Sequence, residues 1–86
     1  MFNYNFWVDC TDPKELAKKY RKLLKESGFK ILKTIHYHFQ PYGYTALFLL
    51  SESHLAIHTF PEENKTYIEL SSCVEKYYDN FKKLIK

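Results

Sequence analysis

Asp12-Pro13-Lys14-Glu15 at one end and Gly28 at the other bracket a helical stripe in a chain whose remaining segments read mostly as strands. Asp12 is placed to cap the helix, Pro13 fits its first turn, and Glu15 stands at the capping-box position. Leu16, Tyr20, Leu23 and Leu24 follow at helical spacing, and Gly28 supplies a stop, so a helix is predicted over about 13–27. Before it, Phe2, Tyr4, Phe6 and Val8 alternate with Asn3, Asn5 and Asp9, which predicts a half-buried strand over 2–9.

Residues 30–39 are rich in β-branched and aromatic side chains, and Gln40-Pro41-Tyr42-Gly43 supplies turn chemistry before the apolar block 45–50. This predicts an antiparallel hairpin. A break over 51–53 precedes a strand at 54–60; Pro61 to Lys65 turns the chain, and 66–71 forms another strand. Ser72 and Glu75 suggest a second capping box, after which Val74, Tyr77, Tyr78, Phe81, Leu84 and Ile85 share one helical stripe. The order βαββββα describes an α+β fold: a two-layer α/β sandwich with an antiparallel five-stranded sheet and two helices on one face. The opposite face needs a cover, and a second copy of the chain is the expected one.

Composition agrees with one small domain over residues 1–86: the chain is 45% hydrophobic, a limited core that commonly gains from association. Aromatics make up 19%, more flat apolar surface than one small core absorbs, so part of it should line an interface or pocket. The net charge of +3 comes from Lys and Arg interspersed with acids on the two helices, which argues against nucleic acid; the lysines of the first helix read as a solvated face. Cys10 and Cys73 form no CxxC pair, the start resembles no signal peptide, and no apolar run approaches a membrane span. A soluble cytoplasmic protein with reduced thiols is expected.

The chemistry concentrates in Glu52-Ser53-His54-Leu55-Ala56-Ile57-His58-Thr59-Phe60-Pro61-Glu62, with Cys73 twenty residues beyond Ser53. A serine hydroxyl in a strained turn can attack its own preceding carbonyl and convert the 52–53 amide into an ester. A base that removes the Ser53 α-proton then ejects the carboxylate of fragment 1–52, leaving dehydroalanine that hydrolyses to an N-terminal pyruvoyl group. His58 is the natural base. The pyruvoyl carbonyl can form a Schiff base with an amine substrate and take up the electrons released on decarboxylation. Cys73 suits the reprotonation step, because the expected cap puts it in the first turn of a helix, where the dipole favours thiolate.

This stretch resembles the processing motif of the prokaryotic pyruvoyl-dependent S-adenosylmethionine decarboxylases. Phe39-Gln40-Pro41-Tyr42-Gly43 is similar to the family's aromatic-x-Pro-Tyr-Gly turn, Phe6-Trp7-Val8-Asp9-Cys10 to its first strand, and Cys73 falls at the family's distance. The resemblance implies an autocatalytic proenzyme cleaved between Glu52 and Ser53, with Ser53 as source of the pyruvoyl cofactor, His58 and Thr45 serving processing, and Cys73 as catalytic proton donor. It places Phe39, Phe60 and Glu62 around the nucleoside of S-adenosylmethionine, with no metal. It also implies an active site built across a homodimer and a role in supplying the aminopropyl donor for polyamine (spermidine) synthesis. Phe60, Glu69 and Val74 stand where the family usually has Trp, Asp and Gly, and family members commonly continue with at least one more strand.

Other readings of the same residues stay open at this level. Related pyruvoyl enzymes act on ornithine or arginine, and a non-catalytic regulatory or interaction homologue could keep the fold without the final strand. Ser53 could be an ordinary loop serine, Cys73 a small buried residue, and Phe39 and Phe60 core. His36 with His38, and His54 with His58, have the spacing of a zinc site on one strand face, but no Cys or carboxylate cluster completes a ligand set.

Overall fold

The computed structural model describes residues 1–85 and gives the element order β1 (Phe2–Val8), α1 (Pro13–Ser27), β2 (Ile31–His38), β3 (Tyr44–Leu50), β4 (Ser53–Phe60), a 3-10 turn (Pro61–Glu63), β5 (Lys65–Ser72) and α2 (Glu75–Ile85). The five strands form one sheet in the order β1-β5-β4-β3-β2, every neighbouring pair antiparallel. The expected βαββββα order is therefore the observed one.

The first helix starts and stops as its sequence demands. The Asp12 carboxylate accepts the Glu15 N–H at 2.9 Å, Pro13 opens the first turn, and Gly28 closes the helix with φ of +112°. A Cβ at Gly28 would meet the Tyr77 ring at 2.7 Å, so the glycine serves both the left-handed cap and the close approach of α2. The Asn80 side-chain amide donates to Ser27 O at 2.9 Å and ties the helices together at the same point.

Alternation along the strands makes two unlike faces. Leu16, Tyr20 and Leu24 from α1 and Phe81 from α2 bury against Tyr44, Ala46, Phe48, Leu50, Leu55, Ile57, Ile68 and Leu70, which form one core under the helices. Leu84, expected on the buried stripe of α2, is 43% exposed and lies outside that core. On the opposite face no helix packs, and Trp7, Ile35, Tyr37, Leu47, Leu49 and Phe60 are exposed. No helix among the described residues is long and apolar enough to cross a membrane.

Two local expectations are corrected, and one feature is added. Ser53 belongs to β4 and not to the break before it: Leu50 pairs with Ser53, leaving only Ser51 and Glu52 in the loop. The β2–β3 ladder carries a bulge between Ile31 and Lys33, which the sequence does not announce. The second capping box does not form. The Ser72 hydroxyl instead accepts the Val74 N–H at 3.0 Å, and α2 begins at Glu75, which leaves Cys73 ahead of the helix.

Candidate active site

Two groups of candidate side chains sit at opposite ends of β4. At its start, the β4–β5 register pairs Ser53 with Ser72, so both hydroxyls lie on the helix-covered side, 7% and 0% exposed. Ser53 Oγ donates to Ser72 Oγ at 3.2 Å and accepts the Cys73 N–H at 3.3 Å. Ser72 Oγ in turn donates to Val74 O at 3.1 Å and accepts Val74 N–H. The Cys73 residue is exposed, not buried, and its backbone amide meets the Ser53 hydroxyl.

Glu52 enters this arrangement with φ of +61°, and Asn64 is the other non-glycine residue with positive φ among the described residues. Asparagine accepts that conformation readily; glutamate in the left-handed region carries about 1–2 kcal/mol of steric cost. The two-residue loop thus stores backbone strain next to the 52–53 peptide bond.

At the other end of β4, His58 pairs with Thr45 of β3, and His58 Nδ1 lies 3.1 Å from Thr45 Oγ1. Both face the sheet side that the helices leave open. They line a cleft of about 400 Å³ with Phe39, Phe60 and Glu62. The turn at the cleft mouth is closed by Phe39 N–H donating to Gly43 O at 2.9 Å, and Gly43 holds φ of +113°. Tyr42, Gly43, Thr59 and Pro61 complete the lining; sequence reasoning assigned them no part in a site, although Tyr42 and Gly43 belong to the turn it singled out. Trp7 lies beside it, its ring 5.8 Å from Phe60 and 5.0 Å from Tyr67.

The structure therefore brings Thr45, His58, Phe39, Phe60 and Glu62 together, and separately Glu52, Ser53 and Cys73, but it does not bring His58 to Ser53 within one chain. Five residues of extended strand separate them, roughly 16 Å, and an odd separation puts their side chains on opposite faces. Strand geometry therefore keeps His58 apart from Ser53 of its own chain.

The remaining candidates are placed as follows. His36 and His38 share the helix side of β2, as the pairing of His36 with Ala46 requires, and His36 Nδ1 meets the Tyr44 hydroxyl. His54 and His58 lie on the other face, so the two histidine pairs cannot form one ligand set. No group of three or more His, Cys, Asp or Glu side chains among the described residues is arranged to hold a metal ion. Cys10 contacts Glu15 at 3.4 Å, its carbonyl accepts the Thr66 hydroxyl, and burial pushes its thiol pKa up. A second cleft of about 360 Å³ beside Cys10, Leu16 and Tyr20 contains none of the reactive side chains of the 52–62 motif.

This βαββββα sandwich sets a serine directly after a left-handed hairpin residue, with the backbone amide of Cys73 donating to its hydroxyl. The sequence model of the S-adenosylmethionine decarboxylase family matches residues 8–86, and the chain belongs to that family. It is 53% identical over 47 residues to S-adenosylmethionine decarboxylase proenzyme 2 of Bacillus cereus, covering 55% of this chain and 38% of that protein. It is 34% identical over 76 residues to the S-adenosylmethionine decarboxylase proenzyme of Thermotoga petrophila, covering 83% of this chain and 58% of that protein. The chain thus spans 38% to 58% of the length of these curated relatives. The crystal structure of the adenosylmethionine decarboxylase from Aquifex aeolicus superposes with a TM-score of 0.70 at 20% identity, over 92% of this chain and 72% of that one, a likeness of fold.

Proposed function

We propose that this chain is the proenzyme of a pyruvoyl-dependent S-adenosylmethionine decarboxylase that cuts itself between Glu52 and Ser53. The observation that carries the reading is the Ser53 hydroxyl, held by Ser72 and the Cys73 amide directly after the left-handed Glu52. Attack of Ser53 Oγ on the Glu52 carbonyl carbon forms a C–O bond and breaks the C–N bond, the hydroxyl proton ending on the freed Ser53 amine. Removal of the Ser53 α-proton then breaks the Cβ–Oγ bond and releases the Glu52 carboxylate, and water replaces the amine as ammonia. The Cys73 N–H donates to Ser53 Oγ, the atom that loses its proton in the first step and leaves with the Glu52 carboxylate in the second. It supports Oγ as it loses its proton and again as it departs.

The contact between the Ser53 hydroxyl and the backbone amide of Cys73 supports Ser53 as the source of the pyruvoyl group, with Cys73 as its neighbouring residue. Once formed, that group would condense with a substrate amine and accept the electrons released with carbon dioxide. Cys73 would return the proton. For His58 to act as a base at Nε2, its Nδ1–H must donate to Thr45 Oγ1, a bond that the 3.1 Å contact allows.

Because Ser53 and His58 occupy opposite ends and faces of β4, we infer that the complete site forms between two copies of the chain. The open sheet face, with its exposed Leu47, Leu49 and Tyr37, is the surface for that contact. A partner packed on that face that brings its Thr45, His58 and aromatic cleft to the exposed Ser51–Glu52 turn, at the end of the sheet where β4 begins, would complete both sites by symmetry. Phe39 and Phe60 would then hold an adenine, with Glu62 accepting ribose hydroxyls, as their shared cleft supports.

Carbon dioxide release measured side by side for S-adenosylmethionine, ornithine, arginine and lysine tests the substrate. Release from S-adenosylmethionine is expected. Release from ornithine or arginine alone would reject the substrate assignment and leave the self-cleavage reading intact.

A further inference from the structure

Ser72 is the residue that the 52–62 motif does not contain and that the geometry puts against the nucleophile. Its side chain is fully buried, and its hydroxyl capacity is completely used. The single proton goes to Val74 O at 3.1 Å, and the two lone pairs accept Val74 N–H at 3.0 Å and Ser53 Oγ–H at 3.2 Å. We propose that Ser72 is a positioning residue for self-cleavage, orienting the Ser53 hydroxyl so that one lone pair is free for attack on the Glu52 carbonyl. This inference rests on the reading of the chain as a self-cleaving proenzyme.

Ser53 Oγ has one proton and two lone pairs. Ser72 takes the proton, the Cys73 N–H takes one pair, and the second pair is left without a partner of its own. Without the acceptor at position 72, the Ser53 hydroxyl proton is free to turn toward any nearby carbonyl and the unshared pair is no longer held in one direction. A hydroxyl that is correctly aimed only part of the time reacts in proportion to that fraction. Ser72 also fixes its neighbour: by binding both polar groups of Val74 it shapes the turn that aims the Cys73 N–H at Ser53. One side chain thus sets both hydrogen bonds of the nucleophile.

The test follows the rate of appearance of fragments 1–52 and 53–86 by intact mass for wild type, Ser72→Ala, Ser72→Thr and Ser72→Cys, with melting temperature measured on each uncleaved chain. The expected result is at least tenfold slower cleavage in Ser72→Ala with the chain still folded, and a rate near wild type in Ser72→Thr, which keeps the hydroxyl. Should Ser72→Ala fail to fold, Ser72→Cys fills the site with a weak acceptor and is expected to show the same slowing. A folded Ser72→Ala or Ser72→Cys that cleaves at the wild-type rate overturns the inference while self-cleavage stands. A wild-type chain that stays intact overturns the self-cleavage reading and this inference with it.

Discussion

The backbone N–H of Cys73 donates to Ser53 Oγ at 3.3 Å, a contact between residues twenty positions apart that exists because β4 and β5 run antiparallel with Ser53 opposite Ser72. The donor is main chain and the proposed proton donor is side chain, which separates two roles of one residue. Cys73→Ala keeps the amide, so cleavage between Glu52 and Ser53 is expected to proceed within a few-fold of wild type. Decarboxylation by the cleaved variant is expected to fall by about tenfold or more, the range of a general acid removed. Fragment masses and carbon dioxide release on the same sample check both; equal loss of the two would merge the roles.

The opposite placement of Ser53 and His58 makes the shared-site proposal testable by mixing. Ser53→Ala and His58→Ala chains are each expected to remain uncut when produced alone. Produced together in equal amounts, random pairing puts about half of the His58→Ala chains in mixed dimers, and those are expected to be cut. Efficient cleavage of His58→Ala by itself, or none in the mixture, would contradict a site shared in this way.

The two sheet faces should respond differently to substitution. Phe48 is fully buried under α1, and Phe48→Ala is expected to cost about 3–5 kcal/mol in reversible denaturation. Leu47, its neighbour in β3, is 41% exposed on the open face. Leu47→Asp is expected to leave the fold in place while shifting sedimentation toward monomer. A monomeric wild type at micromolar concentration with full activity would contradict the interface.

Burial pushes the Tyr20 phenol up to about 12, with the nearby Cys10 thiolate adding to the shift. A phenol whose folded pKa is raised stabilises the fold fully below its ordinary pKa of about 10, and the contribution is lost as pH rises toward 12. Stability measured by denaturant is therefore expected to fall between these values, and Tyr20→Phe is expected to flatten the decline. An unchanged slope in Tyr20→Phe would place the alkaline loss elsewhere.

The elements whose signals are local were legible in the sequence. Asp12, Pro13, Glu15 and Gly28 act on the backbone within a turn of themselves, and α1 occupies the span they mark. Glu62 and Phe60 could be grouped with Phe39 only through family resemblance, and the cleft they share is made by the β3–β4 register. What escaped was tertiary. The two-residue loop before Ser53 is set by the pairing of Leu50 with Ser53, and the turn at Ser72 by its choice of Val74 over Glu75. The opposite facing of Ser53 and His58 escaped with it: strand side chains alternate, but only the pairing of Leu50 with Ser53 extends β4 back to the serine.

Intact mass of the folded wild-type chain, followed over prolonged incubation beside Ser53→Ala, tests the account most directly. Two fragments are expected, residues 1–52 and a pyruvoyl-blocked 53–86, with Ser53→Ala remaining a single chain throughout. A wild-type chain that keeps its full-length mass would contradict it.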